Sequence, residues 1–409
     1  MAPERVYLHI GLHKTGTTYL QNVMRANRAG MRAQQVDFPG GTGEPVQAFA
    51  VWDLQGRRPR GVKDRRISGT WDRLVAHINA SDQPTALISE ERLSLSTLKQ
   101  VRRVVSAFPD SEVHVVVTAR DLGRVAVSAW QEDIKNDQTC TWQEYVDAIK
   151  DPARRAMSPA RSFWVRQDLA MICETWESAV PVERIHVVTV PPSGSSPNEL
   201  MARYASVIGF DPHVLTSEPR WNNETVGVAA TEVIRRVNER LGGRLNQREH
   251  DKVMKMTVVQ MLARRTEPVR FSLPEEEIPW VTERADACIA ALKARGYPVV
   301  GDLDELRPRF REGGRRPDDA TDAELLEASL DALALLSEEY ATTWWKDMRE
   351  SVEGVEEQGG LRSKARGIIF RSQRKAVQLA DKNPVAAKAI GQVLKARDRA
   401  RVRARDKNS

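Results

Sequence analysis

The 409-residue sequence has few cysteines and no long apolar run, and both absences limit the class of protein. Cys140, Cys173 and Cys288 form neither a metal-binding pattern nor an even disulfide set, which excludes a disulfide-rich secreted scaffold. No segment offers the ~20 consecutive apolar residues that a membrane-spanning helix needs. The first residues lack the layout of a signal peptide. We therefore expect a cytoplasmic protein.

Basic and acidic residues are unevenly distributed along the chain. Residues 361–409 contain fifteen Lys or Arg against three Asp or Glu, whereas residues 317–358 contain two against thirteen. The remainder is close to neutral, so composition does not predict a nucleic-acid-binding protein. We expect an α/β domain over residues 1–310, an acidic helical extension over 311–360 and a basic tail beyond it. The tail is either an amphipathic helix in peripheral contact with anionic lipid or a solvated arm.

Apolar runs alternate with helical patterns along the first half of the chain. This alternation predicts an α/β fold with a parallel sheet flanked by helices, and a mostly helical C-terminal part after residue 190. The predicted strands are Val6–Ile10, Thr85–Ser89, Val113–Thr118 and Arg184–Val190, with a short late strand within Tyr297–Val300. The predicted helices include Thr17–Asn27, Val125–Lys135, one long helix over Arg161–Ala179 and an acidic helix over Asp322–Trp345.

A glycine-bounded loop follows the first predicted strand. It reads Gly11-Leu12-His13-Lys14-Thr15-Gly16-Thr17-Thr18 and leads into a predicted helix. A strand, such a loop and a helix N-terminus together bind phosphate through backbone N–H groups. The spacing of Gly11 and Gly16 fits the loop of nucleotide triphosphatases, but that motif requires lysine where Thr17 stands. Here the lysine lies inside the loop, at Lys14.

Charged residues follow the next two predicted strands. Glu90 and Glu91 come directly after the second strand, and Arg120 follows the third, with Ser128 eight residues later. Ligands of parallel sheets bind beyond the carboxyl ends of the strands. We therefore expect the loop, a carboxylate and a second anion site to converge on a ligand with two separated phosphates.

Two of these motifs resemble those of the sulfotransferase superfamily that uses 3′-phosphoadenosine 5′-phosphosulfate (PAPS). Gly11–Thr18 is similar to the 5′-phosphosulfate loop of that family, with its internal lysine. Ala119–Gln131 is similar to its 3′-phosphate motif, in which an arginine ends a strand and a serine lies on the next helix. Asn223–Gly227 is similar to a helix-opening element of bacterial members related to carbohydrate sulfotransferases. The resemblance covers roughly residues 5–230.

The resemblance implies an enzyme that transfers a sulfuryl group from PAPS to a hydroxyl of a carbohydrate or glycolipid, with no metal ion. It implies that Lys14 assists the leaving group and that Glu91, or alternatively Glu90, is the base. Arg120 and Ser128 correspond to the family's 3′-phosphate ligands. The 5′-phosphosulfate is assigned to the loop residues Gly11, His13, Lys14, Thr15, Gly16, Thr17 and Thr18.

The sequence leaves other interpretations open. The loop also fits a nucleotide-dependent kinase or phosphotransferase, and the whole scaffold fits a binding protein without catalysis. Arg120 has Asp121 and Glu132 as alternative ion-pair partners. His13 fits packing as well as ligand contact, and Trp130 fits core packing as well as stacking on adenine.

Overall fold

A computed structural model describes residues 2–58, 64–196, 198–217, 226–263, 271–309 and 315–358, with residue 64 and residues 346–358 as backbone only. Two features singled out in the sequence, Asn223 and the basic tail over 361–409, lie outside the described residues. Both therefore stay predictions.

Within the described residues, six strands pair in parallel to form one sheet. Its order is β2-β3-β1-β4-β5-β6, so the chain places β2 and β3 on one side of β1 and β4 on the other. The strand order therefore reverses beside β1, which is where ligands of such sheets bind. The strands are β1 (Arg5–His9), β2 (Val36–Asp37), β3 (Thr85–Ser89), β4 (Glu112–Ala119), β5 (Ile185–Thr189) and β6 (Val299–Val300).

Helices cover both faces of this sheet. In chain order they are α1 (Thr17–Ala26), α2 (Arg28–Ala33), α3 (Gln47–Leu54), α4 (Asp64–Ile67), α5 (Thr70–Asn79), α6 (Leu98–Ser106), α7 (Leu122–Lys135), α8 (Trp142–Lys150), α9 (Ala160–Gln167), α10 (Leu169–Glu177), α11 (Glu199–Ile208), α12 (Val228–Leu241), α13 (Gln247–His250), α14 (Val259–Ala263), α15 (Ile278–Arg295) and α16 (Asp322–Gln358). A π-helical segment, Asp251–Val258, joins α13 to α14. Short 3-10 turns span Glu91–Leu95, Pro152–Arg154, Val182–Arg184, Pro212–Val214, Glu275–Glu277 and Leu303–Leu306.

Alternating side chains of the strands enter two separate cores. Val6 and Leu8 of β1 belong to the core that α5, α6, α10 and α15 cover, whereas Tyr7 belongs to the core beneath α1 and α11. This alternation follows from the pleat of a strand, in which successive side chains point to opposite faces. Full burial of one such side chain contributes ~1.5–3 kcal/mol. The two cores hold the sheet, and with it the ends of β1, β3 and β4, in place.

The predicted fold class is confirmed, but one predicted helix is wrong. The single helix expected over Arg161–Ala179 is broken at Asp168 into α9 and α10. Asp168 has φ −76° and ψ 82°, and its carboxylate accepts a hydrogen bond from the amide of Met171 at the start of α10. Aspartate favours such a cap over a helix interior, because its side chain satisfies amides that lack a helical partner.

The last described helix, α16, is longer than the acidic helix predicted there. The chain divides into two compact units, residues 1–332 and 333–409, and α16 begins in the first. In that unit Leu325 packs against Val233 of α12. The domain boundaries expected from charge stay a prediction. Among the described helices, none combines the length and apolar character needed to span a membrane.

Replacing Leu8 by alanine tests the core that carries β1. Leu8 is completely buried, so the Leu8→Ala change removes apolar contacts and leaves a cavity, for an expected loss of ~2–5 kcal/mol in the free energy of unfolding. Leu98→Ala is the matched control, because Leu98 is 50% exposed and should lose less than about 1 kcal/mol. Urea unfolding followed by circular dichroism measures both. Equal losses would contradict the proposed core.

Candidate active site

The loop between β1 and α1 contains left-handed backbone at three positions. Gly11, Lys14 and Gly16 have φ of 97°, 66° and 86°. Glycine adopts this region without steric cost, whereas lysine rarely does. Gly11 is also crowded, because a β-carbon there would lie 3.1 Å from the Cβ of Glu91. The two glycines therefore let the loop turn tightly, and Gly11 lets it approach Glu91 after β3.

The backbone amides of residues 13–18 meet no acceptor within the described part of the chain. On one side of them, the amide of Leu12 donates to the carbonyl of Thr118 at 2.8 Å. On the other side, α1 begins with a bond from the Leu20 amide to the carbonyl of Gly16 at 3.1 Å. Consecutive unpaired amides that lead into a helix N-terminus form a binding site for phosphate or sulfate groups.

Buried polar side chains support this loop. The hydroxyl of Thr15 donates to the carbonyl of Leu12 at 2.6 Å and lies 2.6 Å from the hydroxyl of Thr118. His9 lies 2.8 Å from the Ser89 hydroxyl through Nδ1 and 3.2 Å from that of Thr118 through Nε2. Complete burial lowers the pKa of His9 to about 3, so its ring is neutral at neutral pH. His9 thus joins the ends of β1, β3 and β4.

The threonine hydroxyls of the loop are less available to bind an anion than the sequence suggests. The hydroxyl of Thr17, like that of Thr15, donates to the carbonyl of Leu12, at 3.1 Å. Both residues are buried. Their hydroxyl hydrogens are therefore used in hydrogen bonds within the loop. Only their backbone amides remain as donors to a ligand. Thr18 is partly exposed in the first turn of α1.

The ammonium of Lys14 is paired with a carboxylate from α7. Its Nζ donates to Oε2 of Glu132 at 2.9 Å, and the other carboxylate oxygen accepts from Nζ of Lys255 at 2.8 Å. Burial by itself would raise the pKa of Glu132, but the two lysines hold it well below its usual range. Glu132 is therefore ionised at neutral pH and compensates part of the positive charge beside the loop.

The two glutamates after β3 have different surroundings. Glu90 is 4% exposed, and its Oε1 accepts from the Arg92 guanidinium at 2.8 Å. Glu91 is partly exposed, and its Oε1 lies 3.9 Å from Nε2 of His13. Burial and the charge of Glu90 raise the pKa of Glu91, against the opposing effect of Arg92 and Lys14. Glu91 is thus a carboxylate of raised pKa that is less restrained by neighbouring cations than Glu90.

His13 presents a neutral ring with an unpaired buried nitrogen. Burial, together with nearby cations such as Arg166 and Arg92, lowers the pKa of His13 to about 3. Its Nδ1 has no hydrogen-bond partner among the described residues. Its backbone oxygen accepts from Nε2 of Gln167, the last residue of α9, at 3.0 Å. The break between α9 and α10 therefore brings a side chain to the loop.

Arg120 follows β4 and touches the loop directly. One of its terminal nitrogens donates to the carbonyl of Lys14 at 3.3 Å, and its Nε is buried without a partner among the described residues. Of the two carboxylates considered as its partners, Asp121 pairs with Arg124 and Glu132 pairs with Lys14. Burial lowers the pKa of Arg120 to about 10, which leaves it a cation at neutral pH. Such a group calls for an anionic acceptor.

Ser128 and Glu132 are four residues apart on α7 and therefore share a face of this helix. Ser128 is partly buried, one turn before the residue that binds Lys14.

Trp130 is completely buried, and its indole nitrogen donates to the carbonyl of Cys140 at 3.0 Å. The interpretation of Trp130 as a core residue is confirmed.

A cavity of about 190 Å³ adjoins the loop beside Arg120. Leu12 and Arg120 form part of its wall, together with Trp164, Gln167 and Arg284. The guanidinium of Arg284 lies 4.9 Å from the centre of the Trp164 ring. The cavity therefore offers a second arginine and mostly apolar walls next to the anion site.

Three contributors to the site were not assigned from the sequence: Glu132, Gln167 and Lys255. Glu132 was recognisable, because it lies one helical turn after Ser128 and directly follows the motif that resembles a 3′-phosphate site. The position of the Gln167 side chain depends on the break at Asp168, and that of Lys255 depends on how the π-helical segment packs. No local pattern indicates either residue.

These groups suit an anionic ligand and a proton transfer. The loop amides, Lys14 and Arg120 attract phosphate or sulfate groups, while Glu91 can accept a proton from a nearby hydroxyl. Within the described residues, no group of three or more His, Cys, Asp or Glu is placed to hold a metal ion.

Comparison with known proteins gives a distant likeness to a solved structure. No protein-family model matches the chain, and no curated protein matches it significantly. A solved structure of a sulfotransferase from Alicyclobacillus acidocaldarius is similar, with 13% sequence identity and a TM-score of 0.37. The match covers 55% of this chain and 87% of that one. So distant a likeness assigns no chemistry, which has to be argued from the site itself.

Replacing Gly11 by alanine tests the close approach of the loop to Glu91. Left-handed backbone costs a non-glycine residue ~1–2 kcal/mol, and the added β-carbon also crowds Glu91. The control Gly43→Ala has a similar φ of 83° but no atom within 4 Å of the new carbon. Urea unfolding should show the larger loss of stability for Gly11→Ala. Equal losses would mean that the loop does not need the close contact.

Proposed function

We propose that this protein is a sulfotransferase that moves a sulfuryl group from PAPS to a hydroxyl. One observation carries the proposal: Arg120 donates a hydrogen bond to the carbonyl of Lys14, the lysine inside the loop of unpaired amides. The residue whose ammonium is suited to a leaving oxygen is therefore in direct contact, through its backbone, with the group suited to a second phosphate. PAPS carries a phosphosulfate and a separate 3′-phosphate, and it can use both.

Each residue of the site has a separate role in the proposed reaction. The loop amides hold the 5′-phosphate end of the donor, and Arg120 with Ser128 holds its 3′-phosphate. Glu91 takes the proton of the acceptor hydroxyl while the acceptor oxygen forms its bond to sulfur, for typically ~10²–10⁴-fold in rate. Lys14 neutralises the phosphate oxygen as its bond to sulfur breaks. The products are a sulfate ester, adenosine 3′,5′-bisphosphate and a proton on Glu91.

The position of the lysine favours this function over phosphoryl transfer from ATP. In nucleotide triphosphatases the lysine follows the second glycine of the loop and cradles the β- and γ-phosphates. In this chain that position is Thr17, whose hydroxyl donates to the carbonyl of Leu12. The loop therefore lacks the charge that an ATP γ-phosphate needs at that position.

The acceptor in this proposal is a hydroxyl of a carbohydrate or glycolipid. The partial exposure of Glu91 supports it, since a large hydroxyl-bearing molecule can reach the base from solvent. The class of acceptor depends on the resemblance of the motifs to those of carbohydrate sulfotransferases. The cytoplasmic location and the contact of the basic tail with a membrane surface remain proposals of the same kind.

Nucleotide binding tests the donor. Isothermal titration calorimetry should detect adenosine 3′,5′-bisphosphate, and Arg120→Ala should weaken this binding by about 10–100-fold, since a hydrogen bond to a charged group contributes ~1.5–3 kcal/mol. Adenosine 5′-monophosphate, which lacks the 3′-phosphate, should lose little affinity with the same change.

Arg103→Ala is the control for this experiment, because Arg103 is exposed on α6 and pairs with Asp72. It should bind the bisphosphate like the wild type. Tight binding of Mg-ATP in place of the bisphosphate would overturn the proposed function.

The dependence of the rate on pH tests Glu91. A base must be ionised to accept a proton, and burial raises the pKa of Glu91 above its usual value. We therefore expect kcat/KM to fall as the pH drops through this raised pKa. The acid limb of the pH profile should then lie at a higher pH than the titration of a solvated glutamate. Glu91→Gln should abolish the limb and lower kcat by ~10²–10⁴-fold. If Glu90→Gln removes the limb and Glu91→Gln keeps it, Glu90 is the base.

A further inference from the structure

We propose that Glu132 is a positioning residue that fixes the ammonium of Lys14 beside the phosphate-binding loop, with Lys255 holding the same carboxylate through its other oxygen. This inference rests on the proposed function and extends it to residues that the sequence motifs leave unassigned. It makes Glu132 and Lys255 part of the active site although neither needs to touch the donor.

The geometry defines a chain of three side chains. Lys14 Nζ lies 2.9 Å from Glu132 Oε2, and Lys255 Nζ lies 2.8 Å from Glu132 Oε1. Asn136, the residue directly after α7, holds the arrangement, because its Nδ2 donates to Glu132 Oε1 at 3.2 Å and its Oδ1 accepts from Lys255 Nζ at 2.9 Å. Both carboxylate oxygens are therefore restrained, and so is the direction from which Lys14 is held.

The bond to Glu132 leaves Lys14 able to act on an anion. An ammonium has three N–H donors, so one bond to Glu132 leaves two for a ligand in the loop. Lysine is flexible, with four rotatable bonds, and an unrestrained ammonium would sample many positions. Holding it in place before the reaction removes this freedom in advance, which is how enzymes obtain electrostatic stabilisation of a transition state.

The charges around Glu132 distinguish its bond to Lys14 from an ordinary surface ion pair. The lysines keep the pKa of Glu132 below its usual range against the effect of burial. Lys135, also on α7, is near enough that burial and the charges of Lys14 and Lys255 lower its pKa while Glu132 opposes this. Two lysines thus bind this carboxylate, and the charge of a third acts on it from nearby. Removing Glu132 should make the region more attractive to anions but leave Lys14 without its fixed direction.

This reasoning predicts opposite effects of Glu132→Gln on binding and on turnover. Adenosine 3′,5′-bisphosphate should bind more tightly, by about tenfold, because a negative charge next to Lys14 is lost. The kcat for sulfuryl transfer should fall at least about tenfold, because the ammonium of Lys14 is no longer held in a fixed position beside the leaving oxygen. Structural damage would weaken binding as well as turnover. Glu132→Asp keeps the charge and should recover part of kcat.

Lys255 should act only through Glu132. Lys255→Gln alone should lower kcat by a few fold, and it should have little further effect when Glu132 is already glutamine. The control is Glu239→Gln, which removes one carboxylate from an exposed position on α12, where it lies 3.6 Å from Arg235. It should leave binding and kcat unchanged.

A chemical measurement on the free protein tests the pairing without any substrate. Brief acylation with acetic anhydride, followed by peptide mass spectrometry, gives the reactivity of Lys14 relative to the exposed Lys99. Glu132→Gln removes the charge-assisted hydrogen bond that holds Lys14, and we expect about tenfold faster labelling, since such a bond contributes ~1.5–3 kcal/mol. Unchanged labelling of Lys14, or unchanged kcat, in Glu132→Gln would overturn the inference.

The two proposals fail in different ways. If the wild type binds no adenosine 3′,5′-bisphosphate but Glu132→Gln still accelerates labelling of Lys14, the sulfotransferase proposal is wrong and the pairing stands. If the wild type binds the nucleotide and transfers sulfate while Glu132→Gln changes neither kcat nor labelling, the sulfotransferase proposal stands and Glu132 has no positioning role.

Discussion

Thr118, the last residue but one of β4, binds the loop through both of its backbone groups. Its amide donates to the carbonyl of Gly11 at 2.5 Å, and its carbonyl accepts from the amide of Leu12 at 2.8 Å. β4 thereby continues to pair beyond the end of β1, and the course of the loop is set by the sheet itself. Arg120 follows two residues later and reaches the carbonyl of Lys14. The anion site is thus a consequence of placing β1 beside β4.

The two cations of the site are compensated to different degrees. Arg120 has a buried Nε without a partner among the described residues, whereas Lys14 already has a counter-charge in Glu132, which it shares with Lys255. In the proposed reaction this difference has a use. An uncompensated arginine gives affinity for a phosphate that does not change during the reaction. A compensated lysine binds the ground state weakly and acts where new negative charge develops, which is the kind of interaction that raises kcat.

The sequence predicted the parts of the structure that local pattern controls. Four of the predicted strands lie within a residue of β1, β3, β4 and β5, because buried parallel strands are continuous apolar runs. β2 has only two residues and gives no periodic signal. The loop, Arg120 and both glutamates were found because they directly follow strands. Gln167 and Lys255 were not, because a capped break at Asp168 and a π-helical segment decide where they lie. Their roles depend on tertiary packing, which a single sequence does not display.

The pair of glutamates shows how backbone conformation gives two identical side chains different chemistry. Glu90 still has extended backbone, with φ −150° and ψ 110°, and its amide donates to the carbonyl of His9, so it prolongs the sheet by one residue. Glu91 begins a 3-10 turn. Successive residues leave an extended strand in opposite directions, and the turn adds a further rotation. Glu90 therefore meets Arg92, while Glu91 approaches Gly11 and His13. The carboxylate with the raised pKa faces the loop because the extended backbone that follows β3 ends at Glu90, one residue before it.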